Sequence, residues 1–205
     1  MTSEQDRENQ KHAPATLRNR DAIAAVLQDV LPSSGTVLEI ASGTGEHAVY
    51  FGEIFSGLIW QPSDPDPECR RSIAAWVKQA GLTNVLPPLQ LDALASEWDI
   101  AKPAAIVCIN MVHISPWEAS IGLFEKAARL LDPGEPIMLY GPYFRGDATT
   151  AQSNLDFDRS LKSRDLRWGI REVDDMDVLA GKNGFTRVSL IEMPANNLSL
   201  IYRRD

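Results

Sequence analysis

The residues with the clearest chemical potential lie in the turn Glu39-Ile40-Ala41-Ser42-Gly43-Thr44-Gly45, between an apolar run at 36–40 and a helical stretch from about Glu46 to Phe55. Between a strand and a helix, Gly43 and Gly45 let the backbone turn tightly and let a ligand approach the main chain. Asp64 stands 19 residues beyond Gly45, at the end of the next apolar segment, Leu58-Ile59-Trp60-Gln61. Doubly wound folds place a ribose-binding carboxylate there. Each feature has a plainer reading: a tight turn that needs glycine for its geometry alone, and a solvated aspartate beside Pro65. The run Gly43-Thr-Gly45-Glu-His-Ala48 also fits the loose dinucleotide fingerprint, so the turn by itself leaves a nicotinamide cofactor open.

A second group, Asn110, Met111, Val112 and His113, follows the apolar run 104–109, at the carboxyl edge where open α/β sheets bind ligands. His113 titrates near neutrality when unperturbed and is a candidate general base. Without an identifiable partner it reads rather as a structural or substrate-positioning residue. Tyr140 and Tyr143 are the other catalytic candidates. Tyr143, Asn154, Asp158 and Arg171 join His113 as candidates for substrate binding, because they follow the fifth strand or occupy the long insert before the last two strands. Trp168 and Phe157 read as core or lid packing. Arg18, Asn19 and Arg20 lie on the first helix, either on a solvated face or over the cofactor mouth.

These residues need a scaffold, and the apolar periodicity supplies one. Residues 1–15 are polar and aperiodic and are expected to be flexible, whereas 16–31 place Ile23, Val26, Leu27, Val30 and Leu31 at helical spacing. Asp66-Pro67-Glu68 supplies an N-cap and a first-turn proline for a helix that Gly81 closes. A third strand is expected within 84–91, interrupted by Pro87-Pro88, and the unbroken apolar run at 104–109 suits a central parallel strand. Ser115-Pro116-Trp117-Glu118 has capping-box spacing and predicts a helix to about Leu131, before a strand at 136–140. Helices at 153–164 and 173–182 fall within a cap insert at 144–183. The last two strands, 185–193 and 198–203, are joined too closely for a parallel crossover and should pair antiparallel. Alternating strands and helices give a doubly wound α/β sheet in one domain spanning 1–205.

The chain of 205 residues carries 20 Lys and Arg against 28 Asp and Glu, a formal net charge of -8. That balance disfavours nucleic acid as a partner. No apolar run approaches the ~20 residues of a membrane span, and the polar opening lacks a signal-peptide pattern, so a cytoplasmic address is expected. Cys69 and Cys108 read as reduced thiols, and no metal site is expected.

Through Val37-Leu38-Glu39-Ile40-Ala41-Ser42-Gly43-Thr44-Gly45 and Ser63-Asp64, the sequence resembles the class I S-adenosylmethionine-dependent methyltransferases over about residues 33–205. More narrowly it resembles the DUF938 family. That likeness runs through Leu-Glu-Ile-Ala-Ser-Gly-Thr-Gly-Glu-His at 38–47, Trp-Gln-Pro-Ser-Asp at 60–64, Asn-Met-Val-His-Ile-Ser-Pro-Trp-Glu at 110–118, Trp-Gly-Ile-Arg at 168–171 and Met-Pro-Ala-Asn-Asn-Leu-Ser at 193–199. The resemblance implies a seven-stranded, Rossmann-like methyltransferase sheet with an antiparallel C-terminal hairpin, and S-adenosylmethionine as cofactor. It implies that Glu39 orients the loop or meets the cofactor's amino-acid end, that Asp64 holds ribose, and that Asp92 approaches adenine. Ala41, Ser42, Gly43 and Gly45 would line the cofactor through the loop, with Asn110 and Met111 near the sulfonium. Ala41 departs from the glycine usual in the superfamily, and no Asn-Pro-Pro-Tyr segment of the amino-methylating enzymes of nucleic acids follows the fourth strand. The acceptor is therefore expected to be a small molecule. A nicotinamide-dependent oxidoreductase and a non-catalytic cofactor-binding protein are the alternatives. Oligomeric state is not encoded in any pattern seen here.

Overall fold

The computed structural model describes residues 4–146 and 148–205. Strands β1 (Thr36–Ile40), β2 (Ile59–Pro62), β3 (Ala105–Ile109), β4 (Pro136–Gly141), β7 (Phe185–Met193) and β8 (Asn197–Arg204) form one six-stranded sheet in the order β2-β1-β3-β4-β8-β7. The sheet is mostly parallel and ends in the antiparallel pair expected at the C-terminus. Gly141 pairs with Leu198 at one end of the β4–β8 ladder, and Met193 pairs with Asn197 beside the β7–β8 turn. The fold is a Rossmann-like α/β fold. By compactness the chain separates into two units: the chain up to Asp92 with Lys102–Val107, and Ala93–Ala101 with Cys108–Asp205.

In the first unit, β1 and β2 pair in parallel from Thr36↔Ile59 to Glu39↔Pro62. Helices α2 (Pro14–Val30), α3 (Glu46–Ile54) and α4 (Pro67–Ala80) belong to this unit. Ile23, Leu27, Val37, Ala48, Phe51, Trp60 and Ile73 are fully buried, and burying such side chains contributes about 1.5–3 kcal/mol each for the larger ones. Helix α4 begins as its sequence predicts: Asp66 accepts a hydrogen bond from the Glu68 amide at 2.8 Å, and Gly81 ends it in the left-handed region at φ 68°. The short helix α1 (Glu4–Asn9), in a stretch without sequence periodicity, is tied to α4 by Lys78 and Asp6 at 2.6 Å.

The seventh strand is a correction. Residues 84–89 run beside β2 and exchange backbone hydrogen bonds with Trp60, Pro62 and Asp64, yet they make only the isolated bridges Trp60↔Val85 and Ser63↔Leu89. Pro87 and Pro88 lie between those bridges and carry no N–H to donate, so the ladder breaks there.

In the second unit, α5 (Trp117–Leu130) presents Leu123, Phe124 and Ala127 to the core, and Phe124 meets Phe185 and Tyr202 edge-on. The expected capping box does not form. Pro116 is the N-cap, and the Ser115 hydroxyl donates instead to the Met111 carbonyl at 2.7 Å. The chain between β4 and β7 holds α6 (Gln152–Arg164), α7 (Val173–Lys182) and a two-stranded parallel pair that periodicity does not reveal, β5 (Tyr143–Phe144) with β6 (Arg171–Glu172).

A Cβ on Gly45 (φ +91°) would lie 2.7 Å from the Ile73 backbone, whereas one on Gly43 (φ +57°) would meet nothing within 4 Å. Gly43→Ala should therefore cost only the left-handed strain, about 1–2 kcal/mol. Gly45→Ala should cost roughly 1–3 kcal/mol more through overpacking against α4. Urea unfolding of the two variants checks this order.

Candidate functional site

The first unit builds its site where β1 and β2 end. The Ser42 amide donates to the Ser63 carbonyl at 2.8 Å, and the Ser63 amide donates to the Ser42 hydroxyl at 3.2 Å. The Ser63 hydroxyl, fully buried, donates to the Glu39 carbonyl at 2.7 Å. These bonds carry the pairing of the two chains past the last ladder residues. The loop then rises through left-handed conformations at Ala41 (φ 55°), Gly43 (φ 57°) and Gly45 (φ 91°). Ala41 is the residue of the three with a side chain, so it holds this conformation at a cost.

Asp64 closes the loop. Its Oδ2 accepts the Gly43 amide at 2.9 Å and its Oδ1 accepts the Asp66 amide at 2.9 Å. Arg70 donates to the Asp64 and Pro65 carbonyls at 2.8 and 2.7 Å, fixing the strand end from α4. Burial raises the Asp64 pKa above its usual value, against the two amide hydrogen bonds that favour its anion. Each carboxylate oxygen has two lone pairs, so one backbone bond apiece leaves acceptor capacity for a diol. Asp64 is 5% exposed and bonded to the glycine loop, so it is not a solvated side chain.

Glu39, 1% exposed, accepts the Trp60 indole N–H on Oε2 at 2.7 Å. Burial pushes its pKa up to about 7, with the Trp60 hydrogen bond working the other way. Asp92 is exposed. The sequence did not reveal the strap that leads into α2. The Lys11 amide donates to Ser72 Oγ at 2.8 Å, and that hydroxyl donates to the Thr44 carbonyl at 2.7 Å. Glu46 accepts the Ala13 amide at 2.8 Å and the Thr44 hydroxyl at 3.0 Å. Asn19 turns inward, with Oδ1 2.9 Å from His47 Nε2, while Arg20 lies over the Tyr50 ring at 4.4 Å. Burial lowers the His47 pKa to about 4, which keeps that imidazole neutral.

The second unit carries the residues that follow β3. Asn110 is left-handed at φ 63°, and its amide donates to the Tyr140 carbonyl at 2.8 Å. His113 is completely buried, and neither ring nitrogen has a hydrogen-bond partner among the described residues. Its ring meets Tyr143 edge-on at 4.7 Å. A Cβ at Gly141 would come within 2.5 Å of His113 Nε2, so glycine at that position makes room for the imidazole. Burial, then the Arg171 charge, pushes the His113 pKa down to about 3. Tyr143 is raised well above its usual value by burial, and Tyr140 is 2% exposed inside β4. His113 is thus a neutral, weakly basic imidazole and Tyr143 a neutral phenol at pH 7.

Arg171 directs three of its five N–H donors at backbone carbonyls. Nε donates to the Val112 carbonyl at 3.2 Å, and Nη2 to the Ser115 and Arg167 carbonyls at 2.8 and 3.0 Å. With the Gly169 amide on the His113 carbonyl at 3.1 Å, the insert clamps the loop 111–115 through its backbone. Asp158 likewise accepts the Ile170 amide at 2.9 Å and lies 2.6 Å from Lys162. Asn154 donates to the Asn196 carbonyl at 3.0 Å. Asn154, Asp158 and Arg171, expected at the substrate, thus also bond within the protein, a use that no spacing signal distinguishes. Among the described residues there is no cluster of three or more His, Cys, Asp or Glu able to hold a metal, and no helix is long and apolar enough to cross a membrane.

This architecture is that of the S-adenosylmethionine-dependent methyltransferases. The structure is similar to mitomycin 7-O-methyltransferase MmcR with a TM-score of 0.77 at 17% identity, over 93% of this chain and 54% of that one. It is similar to an O-methyltransferase family 2 protein from Planctomyces limnophilus, solved with apigenin, with a TM-score of 0.77 at 17% identity over 93% of this chain and 58% of that one. It is also similar to CalO1, a methyltransferase in calicheamicin biosynthesis solved with S-adenosylhomocysteine bound, with a TM-score of 0.71 at 15% identity over 90% and 54%. The chain spans little more than half the length of these structures. By sequence it belongs to the family described as a protein of unknown function, DUF938, which it matches over residues 10–204.

The raised pKa of Glu39 has a definite sign. A carboxyl whose folded pKa is near 7 and whose ordinary value is 4.5 contributes stability that is fully present below pH 4.5 and is lost as pH rises through 7. Glu39→Gln, which keeps an acceptor for Trp60, should therefore gain on the parent protein by up to roughly 3 kcal/mol between pH 4.5 and 8. Urea unfolding of both proteins across that range tests it.

Proposed function

We propose that the chain is an S-adenosylmethionine-dependent methyltransferase acting on a small-molecule acceptor. The observation that carries this reading is the loop Ala41–Gly45, fixed by Asp64 and open at Gly43, where an added Cβ would meet no protein atom within 4 Å. An open backbone at a strand-to-helix turn admits close approach of a ligand, and the buried carboxylate beside it suits a ribose diol. Ser42, Gly43 and Gly45 would line the cofactor through the main chain, and Asp64 would accept from the ribose hydroxyls with the lone pairs that the backbone leaves over. Glu39, Asp92, Asn110 and Met111 complete the set expected from the family pattern, with Glu39 acting through Trp60 and the loop.

When bound, the sulfonium supplies an activated methyl group, which an oxygen, nitrogen or sulfur atom of the acceptor attacks in line as the methyl–sulfur bond breaks. The residues of this chain would bind, orient and exclude water. Alignment of two bound reactants can supply up to roughly 7–11 kcal/mol of a barrier. A base with a pKa near 3 adds little at neutral pH, so His113 is read as a packing residue of the loop, and the acceptor would give up its proton to solvent before it enters the site.

The test is a pair of variants read by affinity for S-adenosylhomocysteine. Asp64→Ala should weaken binding by about 1.5–3 kcal/mol, the range for a hydrogen bond to a charged group, and Gly43→Val should abolish it by filling the open face. Unchanged affinity in both removes the assignment. Saturable NADH fluorescence in the parent protein would move the reading to a nicotinamide-dependent oxidoreductase.

A further inference from the structure

The strap at 10–13 has little of its own to hold it closed. No residue from 10 to 15 is buried, and its ion pairs lie open to water: Lys11 and Glu68 are 2.9 Å apart with side chains 42% and 62% exposed, and His12 meets Glu46 at 3.1 Å with its own side chain 68% exposed. Such pairs stabilise weakly, and a segment without buried apolar contacts opens locally at far less than the global cost of unfolding. The bonds that oppose opening run to α3 and α4. Trp76 Nε1 donates to the Lys11 carbonyl at 3.0 Å, and the His12 ring stands edge-on to that indole at 5.1 Å. The Lys11 amide ends on the Ser72 hydroxyl and the Ala13 amide on Glu46 Oε2, each at 2.8 Å.

Both of these acceptors also hold the glycine loop, and at the same residue. The Ser72 hydroxyl donates to the Thr44 carbonyl at 2.7 Å, and Glu46 Oε2 accepts the Thr44 hydroxyl at 3.0 Å. Thr44 stands between Gly43 and Gly45, the two left-handed glycines of the loop. Ser72 is fully buried and the Glu46 side chain is 10% exposed, so neither has much water to replace a lost partner. We propose that the strap and the glycine loop are one coupled device, in which a ligand on the loop holds the strap closed and a closed strap holds the loop ready for the ligand, with Ser72 and Glu46 as the positioning residues. The inference rests on the cofactor reading above for the identity of that ligand, S-adenosylmethionine or its product. A ligand that fixes Thr44 fixes both anchors in the geometry that receives the Lys11 and Ala13 amides. An open strap leaves a buried hydroxyl and a nearly buried carboxylate each short of a donor, which is unfavourable. Coupling of this kind is reciprocal: the factor by which a closed strap raises ligand affinity is the factor by which the ligand favours closure.

The experiment measures amide exchange at Lys11 and Ala13 by magnetic resonance in the isotope-labelled protein, with and without saturating S-adenosylhomocysteine. Saturation should slow exchange at both amides by about tenfold, inside the range of roughly 5–150-fold for coupled sites. Ser72→Ala, at ligand concentrations that saturate the variant, should lose that slowing at Lys11. Thr44→Val alters the loop and leaves every strap residue in place; with no ligand present it should speed exchange at Ala13 by at least about threefold, part of the worth of the hydrogen bond lost at Glu46. Exchange unchanged by saturating ligand at both amides, undiminished slowing in Ser72→Ala, or an Ala13 amide indifferent to Thr44→Val overturns the proposal. No S-adenosylhomocysteine binding by the parent protein, with the Thr44→Val response intact, would instead remove the methyltransferase reading and leave the coupling of strap to loop standing.

Discussion

The hydrogen bond from the Gly43 amide to the Asp64 carboxylate joins the loop after β1 to the end of β2, and the rest of that βαβ unit is arranged to make it possible. Parallel pairing brings Glu39 level with Pro62, and the exchange between Ser42 and Ser63 keeps the chains together one step further. Only then can a side chain from the second strand reach an amide of the loop. The bond orders the loop on two counts: it satisfies a donor that would otherwise depend on solvent, and it holds the left-handed conformations at 41, 43 and 45 in sequence. A carboxylate this buried needs such donors, and the backbone supplies them at both oxygens.

Around this bond the helices act as braces. Arg70 on α4 grips the carbonyls of Asp64 and Pro65, and Ser72 on the same helix holds the Thr44 carbonyl while receiving the Lys11 amide. Glu46, the first residue of α3, gathers Thr44 and Ala13. A carboxylate at a helix N-terminus is favourable for the macrodipole, and here it also secures the chain that leads into α2. The second unit uses the same device with a cation. Arg171 collects three backbone carbonyls and so fixes the segment after β3 without a regular element.

Much of this was legible in the sequence, where local rules and tertiary structure agree. The Asp66-Pro67 start and Gly81 end of α4, the glycine turn and the antiparallel close of the sheet all follow from short-range chemistry. Reading failed where a local signal had a tertiary competitor. The apolar run at 84–91 pairs with β2 but loses its ladder to Pro87-Pro88. Ser115 has the spacing of a cap, yet its hydroxyl finds the Met111 carbonyl and Pro116 takes the cap position. The β5–β6 pair is two residues on each side, too short for alternation to register. The inward turn of Asn19 onto His47, and the use of Asp158 and Arg171 on backbone groups, depend on partners that are distant in the chain. Residue type alone says nothing of these bonds, which hold the insert in place.

The account stands on a loop whose backbone is fixed from within the protein and left open on one side. Calorimetric titration of the cofactor-free protein with S-adenosylhomocysteine addresses that directly. The account predicts saturable binding near one equivalent; a folded, cofactor-free protein that releases no heat and binds none would contradict it, and would leave the methyltransferase likeness as one of fold alone.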